Sequence, residues 1–378
     1  MSAPGNQVPP SYSQLNANMT PRSQPACSAV LEQALPASHD LTVSIVIPMR
    51  NESEHIRACV DSLVNQTFPG DQYEILVADG RSTDNSRQIV SLYQAENVAV
   101  RLLDNSSQTT PCGMNLGIQA AAGSIIIIAG AHTIYPKDFV ENCVLWLNKT
   151  GADVVGGPVE TIVDSDRFGA RLVVAVLSSP FGVGDSKFRT SHAEGFVDTV
   201  PFGAFRREVF DRVGRYNEKL VRNQDNDLNS RIRKAGGKIY LTPTLTTRYY
   251  PAKTFAALLK SAFKTSKWHF FTLRQNRESM GVRHLAPAVF LALVLFLMPV
   301  SFVSRIALAL LTATLCTYLL AGFYFSLRAK SNRDWSVALA QPFATFGFHV
   351  AYGAGTLFGL TYLFRPPSLR PIKHGLSR

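Results

Sequence analysis

Two short polar clusters in the first third of the chain carry side chains able to hold a ligand: Arg50-Asn51-Glu52 and Asp79-Gly80-Arg81-Ser82-Thr83-Asp84. Each follows an apolar, β-branched run, residues 43–47 and 73–78, of the kind that forms a buried strand. Carboxylates and hydroxyls placed there exchange hydrogen bonds with a polar ligand, although an isolated Asp79 or Asp84 would serve equally well to cap a turn or a helix. A third polar point, His132, lies just beyond the very apolar stretch 124–129. A fourth, Arg222-Asn223-Gln224-Asp225, leads into a helix ended by Gly236-Gly237, where Asp225 at the least offsets the helix dipole. The dinucleotide fingerprint G-x-G-x-x-G and the phosphate loop G-x-x-x-x-G-K-[ST] are both absent from the sequence.

The elements that position these clusters follow from periodicity. Between the two strand-like runs, Asn51 stands as a helix cap with Glu54 three residues on, a capping-box pattern. Ile56, Cys59, Val60, Leu63 and Val64 then recur on one helical face, and Gln66-Thr67-Phe68-Pro69-Gly70 ends it. This is a βαβ unit, which implies a parallel sheet with right-handed crossovers. Ligands of such sheets sit beyond the carboxyl ends of the strands, where both clusters fall. The pattern continues with a helix face at Ile89, Val90, Leu92 and Tyr93, a strand over 98–103, and a helix opened by Thr110-Pro111. The strand at 124–129 then precedes a further helix up to Lys149.

Taken together, Pro48-x-x-Asn51-Glu52 and Asp79-Gly80-x-Ser82-x-Asp84 resemble the nucleotide-sugar half of family 2 glycosyltransferases of GT-A fold. Val154-Val155-Gly156-Gly157-Pro158, the stretch 198–207 and the stretch 222–228 extend the resemblance to the branch of succinoglycan-type exopolysaccharide transferases. The resemblance implies a Rossmann-like mixed sheet flanked by helices and an inverting transfer of a sugar. It implies donor contacts from Pro48, Arg50, Glu52, Asp79, Ser82 and Asp84, and a catalytic base at Asp225. In the resembled family the strand at 124–129 ends in Asp-x-Asp or Asp-Ala-His and holds a divalent ion, Mg²⁺ or Mn²⁺. Here Gly130 takes the first acidic position and His132 is left as the metal-ligating candidate, which puts that ion in doubt. Positive charge for the departing diphosphate then comes from a metal held by His132 and non-protein ligands, or from basic side chains such as Arg206 or Arg222, with Gln224 beside the acceptor or diphosphate.

The remainder of the chain differs in material. Residues 1–40, rich in Pro, Ser, Asn and Gln, read as a disordered leader without the features of a signal peptide. Residues 251–283 hold seven Lys or Arg against one Glu, with Phe255, Leu258, Leu259, Ala262, Phe263 and Phe270 on one helical face. Such a segment suits the headgroup layer of an anionic membrane. Residues 285–304 and 306–326 are each apolar enough to span a bilayer and are divided by Arg305, so a hairpin with cytoplasmic flanks is expected. A third apolar stretch, 335–364, contains Pro342, His349 and several glycines, and a re-entrant or partly interfacial course would keep the basic tail inside. The net charge of +11 with 17% charged residues would suit nucleic acid or a membrane surface, and the apolar C-terminal third favours the membrane. The 5 cysteines have no paired spacing, so neither a disulfide framework nor a metal knuckle is expected.

The resulting expectation has a leader at 1–40, a GT-A domain at 41–250 and a basic amphipathic interfacial segment at 251–284. Transmembrane helices at 285–364 and a basic tail at 365–378 complete it. The implied partners are a nucleotide-sugar donor, a UDP-sugar foremost, a lipid-linked saccharide acceptor and an anionic membrane, without nucleic acid. The implied place is the inner (plasma) membrane, multi-pass, with the catalytic domain cytoplasmic and a role in cell-surface polysaccharide biosynthesis. The competing reading, favoured by Gly130, is a non-catalytic relative that binds a nucleotide sugar or lipid carrier without turnover.

Overall fold

The computed structural model describes residues 42–96, 99–190, 194–329, 334–364 and 367. The expected leader and nearly all of the basic tail lie outside these residues. The chain divides into two compact units.

In the first unit the elements run β1 (Val43–Met49), α1 (Ile56–Val64), β2 (Tyr73–Asp79), α2 (Ser86–Glu96), β3 (Val100–Asp104), α3 (Thr110–Ala120) and β4 (Ile125–Ile128). Then come β5 (Thr133–Ile134), α4 (Phe139–Thr150), β6 (Val154–Gly156) and β7 (Val159–Thr161). After α5 (Phe168–Leu177), α6 (Pro180–Val183) and α7 (Lys187–Thr190), which belong to the second unit, it resumes with β8 (Gly195–Phe196), β9 (Ala204–Arg206) and α8 (Arg207–Val213). It closes with α9 (Gln224–Lys234), β10 (Ile239–Leu241) and β11 (Thr247–Tyr249). Eight strands form one sheet in the order β3-β2-β1-β4-β9-β6-β10-β8. The first four are mutually parallel, β9 runs antiparallel to both β4 and β6, and β10 is parallel to β6. All residues of β1, β2 and β4 are buried, as expected of parallel strands covered on both faces. The GT-A-like α/β architecture, a mixed sheet flanked by helices, is therefore present.

The helix after β1 begins later than its sequence suggests. Asn51 does not cap it: Asn51 sits in the left-handed region at φ 54°, and its Oδ1 accepts from Thr83 N at 2.7 Å. The first helical residue is Ile56, and Ile56, Cys59, Val60 and Leu63 pack inward as their spacing predicts. A tertiary partner for Asn51 has displaced the local cap.

The second unit comprises Ser165–Thr190 and Pro251–Pro367. The segment 165–190, expected inside the 41–250 domain, is thus part of the helical unit. The reason is hydrophobic: Leu172, Val173, Val176 and Leu177 of α5 share one core with Leu258, Ala262, Val337, Ala344 and Phe348. The later helices are α10 (Phe255–Ser266), α11 (His269–Gln275), α12 (Ala286–Val300), α13 (Arg305–Arg328) and α14 (Trp335–Gly359). With 15 residues α12 is about 22 Å long, short of the roughly 30 Å of a bilayer core, so the expected first span is not a full one. Pro299 and the turn that follows, with Ser304 capping α13, end it. Among the described residues, α13 is the one helix long and apolar enough to cross a membrane. The third apolar stretch is a continuous 25-residue helix through Pro342, with no re-entrant break. Its polar side chains turn inward: Gln341 Nε2 donates to Ala175 O at 3.0 Å, and Ser326 Oγ donates to Gln341 Oε1 at 2.9 Å. His349 lies 3.0 Å by Nε2 from Gly182 O and 2.8 Å by Nδ1 from Tyr318 Oη. A carbonyl only accepts, so Nε2 carries the proton.

Candidate active site

The carboxyl ends of β1 and β2 are laced into one surface. Asn51 N donates to Ser82 Oγ (2.9 Å), whose hydroxyl donates in turn to Asp79 Oδ1 (2.6 Å). Glu52 N donates to Ser86 Oγ (2.6 Å), and Ser86 Oγ donates to Asp84 Oδ1 (2.5 Å). Ser53 N donates to Asp84 Oδ2 at 3.0 Å. Asp79 is fully buried and also accepts from Arg87 Nη1 at 3.0 Å. The two clusters that the sequence separates by some thirty residues are therefore a single scaffold, with Asp79, Ser82 and Asp84 as its ties. Burial pushes the Asp84 carboxyl up, but the hydrogen bonds from Ser86 and Ser53 outweigh it and hold the group below its ordinary value.

Glu52 and Arg50 leave this scaffold in different directions. The Glu52 carboxylate, almost wholly buried, places Oε2 2.5 Å from His132 Nδ1, which is reached from β4 through Gly130-Ala131. The His55 ring lies 5.7 Å from the His132 ring and 4.4 Å from that of Tyr250. Cys59 donates to Gly130 O at 3.2 Å, and burial, reinforced by the Glu52 charge, pushes its thiol up, so it is a neutral packing group. Arg50 instead lies against Gly80 and Gln108, the loops after β2 and β3. Pro48 is buried within β1.

The expected base comes from the other half of the sheet. Helix α9 precedes β10, which runs in the same sense as β6 and, through antiparallel β9, the same sense as β4. A helix returning before a parallel strand starts at the carboxyl edge, so Asp225 in the first turn of α9 shares the edge with the donor clusters. Its helix is anchored from below by a fully buried pair, Arg231 Nε to Asp227 Oδ2 at 3.2 Å, with Arg231 also donating to Gly214 O (3.1 Å) and Arg215 O (2.9 Å). Burial lowers the Arg231 pKa to about 10 despite Asp227, which leaves it charged at neutral pH. Asn115 of α3 clamps the segment leading to α9: Oδ1 accepts from Tyr216 N at 2.9 Å and Nδ2 donates to Tyr216 O at 2.8 Å. Tyr216 is fully buried, and burial together with the Asp225 charge pushes its phenol up. The sequence reading missed Asn115, Tyr216, Asp227 and Arg231; the one signal present was the i, i+4 spacing of Asp227 and Arg231.

Of the diphosphate candidates, Arg222 is buried just before α9, and burial lowers its pKa to about 10. Gln224 is fully buried, and neither of its amide atoms has a hydrogen-bond partner among the described residues. Arg206 is a correction: it pairs with Ile125 at the start of β4, which puts it at the amino edge of the sheet. Its guanidinium donates to Leu147 O (2.8 Å) and Ala152 O (3.2 Å), so it cannot meet a ligand at the other edge. Among the described residues no three of His, Cys, Asp and Glu converge to hold a metal ion.

Residues 44–214 match Glycosyl transferase family 2, a stretch that includes both donor clusters and His132 and stops before α9. The succinoglycan biosynthesis protein ExoA of Rhizobium meliloti (strain 1021) is 31% identical over 245 residues, covering 64% of this chain and 73% of the relative. The chain belongs to glycosyl transferase family 2. A second relative of this glycosyltransferase spans 84% of it and 97% of its own length at 24% identity. That protein is the dolichyl N-acetyl-alpha-D-glucosaminyl phosphate 3-beta-D-2,3-diacetamido-2,3-dideoxy-beta-D-glucuronosyltransferase of Methanococcus voltae. Among solved structures, a mannosyltransferase of Pyrobaculum calidifontis, in complex with GDP-mannose and Mn²⁺, superposes with a TM-score of 0.55. At 18% identity, over 83% of this glycosyltransferase and 88% of that chain, it establishes the shared fold.

Proposed function

We propose that this glycosyltransferase is a membrane-bound, inverting enzyme that moves a sugar from a nucleotide-sugar donor, a UDP-sugar foremost, to a lipid-linked saccharide in cell-surface polysaccharide biosynthesis. The observation that carries the reading is the placement of Asp225 at the same sheet edge as the laced donor clusters. The scaffold of Asp79, Ser82 and Asp84 holds the loops that face the nucleotide, with Pro48, Arg50 and Glu52 around it. The Asp225 carboxylate takes the proton of the acceptor hydroxyl as that oxygen bonds to the anomeric carbon. The bond from that carbon to the diphosphate oxygen breaks in the same displacement, so the configuration inverts. General-base help of this kind contributes about 10²–10⁴-fold. Arg222, still cationic, supplies charge for the diphosphate, and Gln224 offers an amide to a neighbouring oxygen.

A divalent ion such as the Mn²⁺ of the mannosyltransferase neighbour finds one expected side chain here, His132, and its Nδ1 is engaged by Glu52. Without a converging set of protein donors the residues do not fit a tightly held ion, and no step above runs through one.

The membrane reading draws on α13 and on the apolar side chains that α12, α13 and the turn between them leave exposed, among them Val289, Phe296, Phe302, Val303, Ile306 and Leu320. The basic α10, capped by Thr254, buries Leu258 and Ala262. It fits the cytoplasmic headgroup layer of the inner membrane, and the catalytic unit belongs on that side. The test is release of free nucleoside diphosphate by the full chain in membranes supplied with UDP-sugars and lipid-linked saccharides. Release that needs both donor and acceptor is the expected result. Binding of nucleotide sugar without any release would instead make the protein a non-catalytic carrier.

A further inference from the structure

In the first unit β5, β7 and β11 form a second sheet, of three strands in the order β5-β11-β7. The central β11 is antiparallel to β5 and parallel to β7, so Tyr249 stands opposite Thr133 on one side and Thr161 on the other. Ile162 N extends the second pairing and donates to Tyr249 O at 3.0 Å. Thr133 directly follows His132, and its N–H closes a turn by donating to Gly130 O at 3.0 Å. The two other strands lead out of the unit. The chain passes to the helical unit after Asp164, shortly beyond β7, and again after Tyr250, next to the end of β11. The turn that carries His132 thus shares a small sheet with both departing segments.

Side chains make the same connection. Glu52 Oε2 lies 2.5 Å from His132 Nδ1. The His55 ring stands between two others, 5.7 Å from that of His132 and 4.4 Å from that of Tyr250. The Tyr250 hydroxyl donates to Asp164 Oδ1, which ties the two departing segments to each other. Burial and the neighbouring Asp164 both push the Tyr250 phenol up, so its proton stays in place at neutral pH. Glu52, His55, His132 and Tyr250 are all buried. Close-packed groups do not deform continuously, so a shift of the first side chain in such a row displaces the next.

The row begins at the catalytic edge. A donor whose anomeric carbon lies near Asp225 places its diphosphate towards β4, at the Glu52–His132 end. The row finishes at Asp164 and Tyr250, where the chain leaves for the helices that the membrane reading assigns to the acceptor's side. Were Tyr250 only a fastening for the end of β11, that fastening would be indifferent to what occupies the edge.

We propose that His55 and Tyr250 are positioning residues that transmit donor occupancy from the Glu52–His132 pair to the two segments entering the helical unit. The inference rests on the donor-site reading above. A ligand moves such an equilibrium only as far as it distinguishes the two arrangements, and couplings between sites are commonly about 5–150-fold. The test is amide hydrogen exchange of the full chain, purified in detergent, with and without saturating UDP, or GDP should UDP not bind. Calorimetric titration on the same preparation establishes saturation. In the wild type the nucleotide should slow exchange about fivefold or more in peptides covering 159–168 and 247–256. Tyr250→Phe keeps the ring against His55 and loses the bond to Asp164. It should still be saturated by nucleotide, with the slowing lost over 159–168 and kept over 247–256. His55→Leu should lose it over both segments. Asp164→Ala cuts the same bond from the other side and decides the matter if Tyr250→Phe does not fold. Slowing equal to wild type in these variants, or faster exchange that is the same with and without nucleotide, would overturn the role of His55 and Tyr250. Binding without any slowing in the wild type would overturn the coupling and leave the donor site standing. No binding of either nucleotide would overturn the donor site, and the coupling with it.

Discussion

On the donor side of the catalytic edge, the hydroxyls of Ser82 and Ser86 each donate to a carboxylate and accept from a backbone N–H of the neighbouring loop. On the α9 side, the Gln224 amide and the Tyr216 hydroxyl are fully buried with no hydrogen-bond partner among the described residues. Each unsatisfied buried group costs about 1–3 kcal/mol, so the second region holds hydrogen-bonding capacity of the kind these two hydroxyls of the first have spent. The Ser82 and Ser86 ties of the donor loops are complete within the protein, whereas Gln224 and the Tyr216 hydroxyl leave their capacity unused. Arg50 Nε and the hydroxyls of Thr109 and Thr110 are unspent groups on the donor side as well.

The comparison breaks most readily at Asp225. Asp225→Asn keeps size and shape and removes the basic oxygen pair, so turnover should fall about 10²–10⁴-fold with nucleotide affinity within about threefold of wild type. Single-turnover rates and nucleotide titration on the same preparation check this, and a variant with a tenth or more of wild-type rate would remove Asp225 from the base role. A second break lies beneath it. Arg231→Met removes the buried ion pair to Asp227, which should cost about 3–5 kcal/mol of stability, seen as early thermal unfolding. Unfolding at the wild-type temperature would show that α9 is held by something else.

What the sequence made legible was the sheet edge on which Arg50-Asn51-Glu52 and the cluster from Asp79 to Asp84 emerge together. Its clusters follow uninterrupted β-branched strands, and a strand end fixes the edge on which its next residues emerge. The face of α1 was equally plain, since Ile56, Cys59, Val60 and Leu63 repeat with the helix. What stayed hidden depends on partners far along the chain. Asn51 has the type and spacing of a helix cap, and its acceptor oxygen is taken by Thr83 N across the edge. The destination of 165–190 is decided by Val337, Ala344 and Phe348, about 170 residues away. Arg206 sits beside Phe205 in a stretch that resembles the family's site, yet the antiparallel sense of β9 carries it to the wrong edge. Apolarity runs on past Val300, and only the turn after Pro299 reveals that α12 is short.

A smaller effect concerns metal. The donor side presents a Glu52–His132 pair where a set of carboxylates would grip an ion, so catalysis should depend weakly on divalent cations. Chelation by EDTA is expected to lower the rate less than about tenfold, with Mn²⁺ restoring it better than Mg²⁺ because manganese accepts a nitrogen ligand more readily. Gly130→Asp should deepen the dependence. Wild-type saturation at low micromolar Mg²⁺, unaltered by His132→Ala, would place the ion elsewhere.

The smallest effect tests whether the donor scaffold is tied by charge. Asp84 accepts from Ser53 N, Ser86 N and Ser86 Oγ, and these hydrogen bonds hold its carboxyl below the ordinary value against the opposing push of burial. A carboxyl depressed in the folded state contributes stability that is fully present above its unfolded pKa of about 3.9, and that is lost as pH falls through the lower folded value. Asp84→Asn keeps an acceptor and removes the charge, so at pH 7 it should destabilise the chain by about 1 kcal/mol. The difference between wild type and variant should hold from pH 7 to about pH 5 and close progressively below about pH 4. Thermal or urea unfolding of both proteins over that range measures it. A gap that stays constant to pH 3 would mean that shape, and not the ionised carboxylate, joins the loops after β1 and β2. The donor side would then be no better secured by charge than the α9 side.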